Sequence, residues 1–463
     1  MLKFFKNKII LSISLALLLI TGFGCKGLTA SQQAAIRPVT LNYWTVYNDV
    51  KELQKLAADF QKLRPYITVN IKQIRYDEQD KMFTNALADD VAPDIMSVSV
   101  KNLRHYYNRL SEMPGTIKAS SIITTGQYFK ETTVQTTDVP MPTPRYVQTA
   151  YVQSVYKDAV IGNKILGLPI SFDTLAIYYN KDLLDKAGIA EPPATWDDFM
   201  KDVKLTTKLN SAGQIVQSGV ALGTGNNISN AFDILALFMA QSGVKMTDKG
   251  RVSFADGLNV NNLGSSSVVK ALNFYTDFAN ANKEVYAWNE KQGNALEEFA
   301  QGKTAFYFGF AYDFPRVKAL APQLNVEIIK IPQLTADAPV NSADYWLETV
   351  PKKSKHQNEA WDFVRFIGLE ENVKKYTTDV KRPTPYRSQI KDQKSDVVLG
   401  PFAEYLLTAE NFYRGQDFDT AKNALANLLH GYLQPVGSGG ENNTNKYIFD
   451  LLNNTVRVIQ QTV

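Results

Sequence analysis

Cysteine is almost absent from this chain: Cys25 is the single one among 463 residues, so no disulfide can form within it. Histidine is nearly as scarce. His105, His356 and His430 are the only three, and no HExxH spacing sets two of them on one helical face. A GxSxG elbow and a glycine-rich nucleotide fingerprint are also missing, which removes the common nucleophile and phosphate-cradling arrangements. What remains open to a hydrolase is a pair of carboxylates far apart in sequence. Adjacent acids such as Asp197 and Asp198 fall at a helix start, where they complement the dipole without any substrate. Charge of one sign is lacking too. The formal +4 shrinks to 47 Lys and Arg against 46 Asp and Glu once Lys3, Lys6 and Lys8 are set aside, so nothing argues for nucleic acid as a partner. No motif calls for a metal or a cofactor. What the chain does have is length and a 44% hydrophobic composition, enough for two domains that each bury a core.

The first 24 residues run from the basic MLKFFKNK through the apolar IILSISLALLLI to TGFG. A basic start, an apolar stretch of about a dozen residues and small residues before a cut are the parts of an export signal, too short for a transmembrane helix. The expectation is a signal peptide over 1–24, with the protein held outside the cytoplasm. Residues 26–38, KGLTASQQAAIRP, lack apolar periodicity, so 25–38 is read as a flexible leash.

From residue 39 the chain alternates. VTLNYWTV reads as a strand, Val50, Leu53, Leu56, Ala57, Phe60 and Leu63 recur at helical spacing, and ITVNIKQI alternates again. A second helical segment leads to the strand DIMSVSV, and this strand–helix alternation predicts an α/β fold with a mostly parallel sheet. Ligands on such sheets bind beyond the carboxyl ends of the strands, here Trp44 to Asn48 and Ser97 to Lys101. Residues 114–160 show no clear period and are read as a long surface excursion. A second α/β set starts after residue 171, with Asn180 capping one helix and Thr195 another. Two amphipathic helices, AKNALANLLHGYL and YIFDLLNNTVRVI, close the chain.

The order of these pieces is specific. ILGLP at 165–169, Asp173-Thr174, YYNKDLL at 178–184, Ala187-Gly188 and PPATW at 192–196 closely resemble extracellular solute-binding proteins of the maltose-binding type, the substrate receptors of ABC importers. APDIMSVSV, EEFAQGKTAFYFGFAYDF and PKKSKHQNEAWDFVRFI extend the resemblance over nearly the whole chain after the signal. It implies a type II periplasmic-binding-protein-like fold, in which two α/β lobes are joined by hinge strands around a central cleft. The expected lobes are 39–171 plus 334–380, and 172–333 plus 381–463. It also implies that the chain is a monomer, performs no catalysis, binds a sugar or another small polar solute, and presents it to the transmembrane subunits of a permease. Cys25, directly after the signal, is similar to the acylated cysteine of bacterial lipoproteins, although Gly22 and Phe23 depart from the usual residues before it. A surface glycan hydrolase and a sensory lipoprotein are the readings from other classes.

A sugar needs flat aromatic faces for its C–H surfaces and a few fixed polar groups for its hydroxyls. Trp44 and Tyr47 follow the first strand and are candidates for the former, Trp44 with a core role as the alternative. Asp173 occupies the place of an acidic ligand-contacting residue in the family, and a carboxylate accepts charge-assisted bonds from hydroxyls; a local capping role is the alternative. Phe310 and Tyr312 stand where the family carries a stacking tryptophan. Tyr345 and Trp346 place bulky rings where small residues are usual, either narrowing the cleft or stacking on the ligand. Arg382, at a further crossing, is a candidate for a hinge salt bridge or a ligand contact.

Overall fold

The computed structural model describes residues 28–126, 131–248, 250–434 and 440–463, with the side chains of 440–443 left out. The signal segment and Cys25 lie outside these residues. Strand β1 (Val39–Thr45) buries Leu41, Tyr43 and Thr45, the alternate positions that the period of two puts on one face. Helix α1 (Val50–Leu63) begins where the Asp49 side chain accepts from the Glu52 N–H, and it buries Leu53, Leu56 and Phe60. Strand β2 (Ile67–Gln73) pairs parallel with β1, and β3 (Ile95–Ser99) flanks β1 on its other side.

The long surface excursion over 114–160 holds a long antiparallel hairpin, β4 (Thr116–Thr125) and β5 (Glu131–Pro140), followed by helices Pro144–Ala150 and Gln153–Ala159. The reason it escaped notice is physical: most of β5 is exposed, so its Thr-rich strands carry β propensity without apolar alternation. The leash also differs from expectation. A helix over Ala30–Ala35, opened by a capping box between Thr29 and Gln32, lies against β5.

The short β6 (Gly167–Leu168) ends the first pass, and β7 (Asp173–Asn180) starts the second sheet with all eight residues buried. Strands β8 (Lys208–Leu209) and β9 (Ile215–Val220), helix α2 (Ala231–Gln241), β10 (Thr304–Phe310), β11 (Val326–Ile329) and β12 (Asn341–Asp344) follow. The chain then enters β13 (Trp346–Thr349), and later elements include α3 (Gln357–Ile367), β14 (Ala409–Glu410), α4 (Phe418–Tyr432) and α5 (Gly440–Gln460). One sheet runs β2-β1-β3-β13-β6; the other runs β8-β9-β10-β7-β12-β14, with β11 also paired to β7. The central place of β7, paired on both edges, explains why its run reads as continuous burial rather than alternation.

Each sheet has its own core. The first gathers Tyr43, Phe60, Trp361 and Phe363, with the Phe363 ring 5.2 Å from that of Phe60. The second gathers Trp196, Phe199, Phe238 and Trp288. Removing a ring such as Phe363 by substitution with Ala would cost about 3–5 kcal/mol, because transfer and cavity terms add.

Three passages join the lobes. Residues 169–172 link β6 to β7, and Tyr345 alone separates β12 from β13. The third comes between Ile390, still in the first core, and Phe402, in the second, later than the expected boundary at 381; ahead of it Phe172 N–H donates to the Pro383 carbonyl and Val152 N–H to that of Pro385, each at 2.9 Å. The expected return to the first lobe at 334 therefore comes later: β12 still pairs with β7. Apolar pattern alone does not distinguish a strand that ends one sheet from one that opens the next. Beyond the third passage the chain straddles both cores, with Phe402 in the second and Ala403 in the first.

Candidate functional site

Asp173 stands first in β7, opposite Asp344 of β12. It is fully buried, and both carboxylate oxygens accept from Arg382, whose Nε lies 3.2 Å from Oδ1 and whose Nη2 bonds Oδ2. Arg382 Nη1 donates to the Tyr47 carbonyl at 3.1 Å, tying the pair to the first lobe. Burial pushes the Asp173 carboxyl up, and the guanidinium partly pulls it back; Arg382 itself is held above its ordinary value by that carboxylate. Asp173 is therefore committed to the hinge and lines neither cleft cavity. Tyr345 is not in the cleft either. Its hydroxyl donates to Asp158 Oδ2 at 2.7 Å and its ring lies 4.5 Å from that of Phe172, which places it in the core beneath the passage.

The cleft forms where strand ends of the two lobes face one another. Tyr47, past β1, and Tyr312, past β10, stack across the lobe boundary with ring centroids 5.0 Å apart and planes 14° apart. Trp346 sets its edge against Tyr47 at 5.4 Å, and Tyr76 sets its own against Trp346 at 6.0 Å. Phe310 is buried behind Tyr312, their rings 5.4 Å apart, and supports the wall without lining either cavity. Trp44 also lines neither: it occupies the alternate face of β1 from Tyr43, with the Lys72 ammonium 5.7 Å above its ring. Of the eight candidates, then, the fold brings Tyr47, Tyr312 and Trp346 together, and it sets Arg382 on the hinge pair and on the wall of the larger cleft cavity.

The Tyr47–Tyr312 stack divides the cleft. On one side lies an open groove of about 1120 Å³ with Asn48, Arg75, Asp77 and Arg316 on its walls. On the other is an inner chamber of about 220 Å³ that reaches Lys101, Asp233, Asp344 and Trp346. Both are lined by Tyr47, Tyr76, Tyr312 and Arg316. Between the faces there is no room for a ligand ring, since contact on both sides needs about 7–8 Å.

A second set of charges crosses the boundary in the chamber. Lys101, just past β3, bonds Asp233 Oδ2 of α2 at 2.7 Å and lies 3.5 Å from Asp344 Oδ1. Phe418 and Phe310 present their rings to the ammonium at 5.0 and 5.7 Å. Burial works against the charged lysine, yet the two carboxylates prevail and hold its pKa above the ordinary value. Burial also pushes the Asp344 carboxyl up, to about 6. Asp233 Oδ1 is satisfied by the Ser342 hydroxyl at 2.9 Å, and Asp344 Oδ2 by the Tyr312 hydroxyl at 3.2 Å.

Lys101, Asp233 and Asp344 were absent from the sequence-based candidates. Lys101 did lie at an expected strand end. Asp233 carried a signal of its own, as the one charge inside the apolar run AFDILALFMAQ. Among the described residues no cluster of His, Cys, Asp and Glu could hold a metal ion.

The sequence pattern of bacterial extracellular solute-binding proteins matches residues 45–374. The chain belongs to this family. Relatives of this solute-binding protein include the multiple sugar-binding protein of Streptococcus mutans serotype c, 24% identical over 89% of this chain and 94% of its own length. Another is the melibiose/raffinose/stachyose-binding protein of Bacillus subtilis, 24% identical over 86% of this chain and 85% of its own. Among solved structures, the cyclic α-maltosyl-1,6-maltose binding protein of Arthrobacter globiformis superposes with a TM-score of 0.68 at 15% identity, over 91% of this chain and 99% of that one. The two-lobed type II fold of the solute-binding protein agrees with that likeness.

Proposed function

We infer that this solute-binding protein is the extracellular receptor of an ABC importer and that it captures a carbohydrate between its lobes for delivery to the permease. The observation that carries this reading is the pair of tyrosine faces, one from each lobe, that meet where two cavities adjoin. Flat rings on both sides of a boundary suit the C–H faces of a sugar, and the flanking carboxylates, amide and guanidinium suit its hydroxyls. Two relatives are named for sugars. Ligand entry requires the Tyr47–Tyr312 stack to part, and the lobes to move about the three passages. The receptor works as a monomer, is tethered outside the membrane through acylated Cys25, and leaves the ligand chemically intact.

Thermal unfolding of residues 26–463 against mono- and oligosaccharides, amino acids and polyamines tests this reading. Ligand at about 100 times its dissociation constant stabilises the native state by about 2.7 kcal/mol. The expected result is an upward shift with one sugar class and recovery of that sugar uncleaved. A shift confined to amino acids or polyamines would overturn the carbohydrate assignment, and release of cleaved sugar would overturn the receptor role.

A further inference from the structure

His105 reaches both lobes through its two ring nitrogens. Nε2 lies 2.9 Å from Asp80 Oδ1 in the first lobe, and Nδ1 lies 3.2 Å from the Gln416 carbonyl oxygen in the second. His430, by contrast, pairs with Glu290 inside the second lobe alone. The cores assign the sides: Leu103 and Tyr106, which flank His105, belong to the first, while Tyr413 and Phe418, which flank Gln416, belong to the second. The Gln416 carbonyl is held in place from its own lobe. Gln416 N–H donates to the Thr462 carbonyl at 2.5 Å, Asp417 N–H donates to the Tyr413 hydroxyl at 2.9 Å, and a Cβ added at Gly415 would collide with that same hydroxyl, so the turn admits only glycine there.

Both atoms that face the ring are acceptors. A neutral imidazole has one N–H and one lone pair, so it satisfies one acceptor and turns its lone pair on the other; only the imidazolium donates to both. The Asp80 carboxylate is the stronger acceptor, so a neutral ring keeps its proton on Nε2 and leaves Nδ1 opposed to the Gln416 oxygen. The charges facing the ring are Asp80, with Arg109 Nη1 3.5 Å from the same oxygen, and Asp417, whose lowered carboxyl owes most to Thr420 and less to His105. The Tyr106 ring packs against it edge-on at 4.8 Å.

We propose that His105 is a proton-operated clasp between the lobes: the imidazolium joins Asp80 to Gln416 and favours the closed arrangement, and loss of the Nδ1 proton releases it. Histidine is the side chain that ordinarily changes charge between pH 5 and 8, and with 36% of this one exposed, solvent protons reach it. Closure then takes up a proton, so by linkage acid favours the closed state and alkali the open one. His105, Asp80 and Gln416 line neither cleft cavity, so the clasp acts whatever solute is bound. By shifting the population of closed protein it tunes affinity without touching the ligand.

Residues 26–463 contain no cysteine, so one dye can be placed in each lobe by Val91→Cys and Leu320→Cys, both at exposed positions. Energy transfer in the ligand-free protein should report a closed-to-open ratio that falls about three- to tenfold from pH 5.5 to 8.0, the worth of about one hydrogen bond. His105→Gln, which cannot take up the proton, should flatten that change. Asp80→Asn separates a proton-operated clasp from a passive contact. Its amide donates to Nε2, which leaves the neutral ring with its proton on Nδ1 for Gln416, so in this variant the lobes should stay closed at pH 8.0. Nitrogen-15 spectra, with His105→Gln assigning the ring signals, should show both nitrogens protonated at pH 5.5 and Nε2 alone at pH 8.0. The clasp would be overturned by a wild-type ratio that does not move, by the same slope in His105→Gln, by opening of Asp80→Asn at pH 8.0 as in wild type, or by an Nδ1 without a proton at pH 5.5.

Discussion

Two buried ion clusters tie the lobes of this solute-binding protein together, one at the hinge and one in the cleft, and they differ in how fully their atoms are satisfied. At the hinge, both oxygens of Asp173 accept from Arg382, and a third nitrogen of the guanidinium reaches the Tyr47 carbonyl. In the cleft, Lys101 bonds Asp233 at 2.7 Å but reaches Asp344 Oδ1 only at 3.5 Å, and the Trp346 indole N–H has no hydrogen-bond partner. A buried pair whose hydrogen bonds are complete serves the fold; one left incomplete beside a cavity is arranged for something that arrives from outside. Acidic residues of similar burial thus carry different roles, and the difference lies in their partners rather than in their type.

Arg382→Met gives the largest expected effect on this comparison. It leaves Asp173 buried without its partner and should lower the unfolding free energy by about 3–5 kcal/mol in urea titrations. Lys101→Met should cost clearly less, because Asp233 and Asp344 can regain water when the lobes part. Its signature is instead a larger radius of gyration in small-angle scattering without ligand. If Lys101→Met destabilised the protein as much as Arg382→Met, the cleft cluster would be structural and the distinction would fail.

Tyr312→Ala should weaken the contact between lobes by about 0.5–1.5 kcal/mol, the usual worth of an aromatic pair, and lower sugar affinity through loss of a stacking face. Calorimetry of this variant showing wild-type affinity would remove the tyrosine pair from the site.

The smallest effect is a dependence on pH. Burial is the main cause of the raised Asp344 pKa of about 6; Lys101 opposes it, while Asp233 and Asp173 add to it. A carboxyl with a raised folded pKa binds its proton more readily in the native state, so its contribution to stability grows as pH falls from about 6 towards 4. A ligand hydroxyl donating to Asp344 favours the ionised form, so sugar affinity should fall over the same window. Opposite slopes for stability and affinity, both flattened in Asp344→Asn, are expected from paired melting and binding series. Parallel slopes would separate Asp344 from the ligand.

Much of the fold was legible in the sequence because it is written in short-range pattern. The alternation of VTLNYWTV, the spacing of Leu53, Leu56 and Phe60, and the caps at Asn180 and Thr195 each act within a few residues. The hairpin over 116–140 was hidden because an exposed ribbon needs no apolar face. At the site, Tyr47, Tyr312 and Trp346 were accessible to reasoning from strand ends and from the family resemblance. Asp173 had the right location but a different task, since Arg382 lies 209 residues further along.

By itself the sequence determined most of the elements, the two-lobe order and the supply of aromatic and acidic groups near the cleft, through local periodicity and chain order. Only the tertiary structure decided which of those groups remain unpaired. Whether a buried carboxylate is bonded closely by a guanidinium or held by a longer contact to an ammonium depends on side chains far apart in the chain meeting within about 3 Å, and no local pattern encodes that distance.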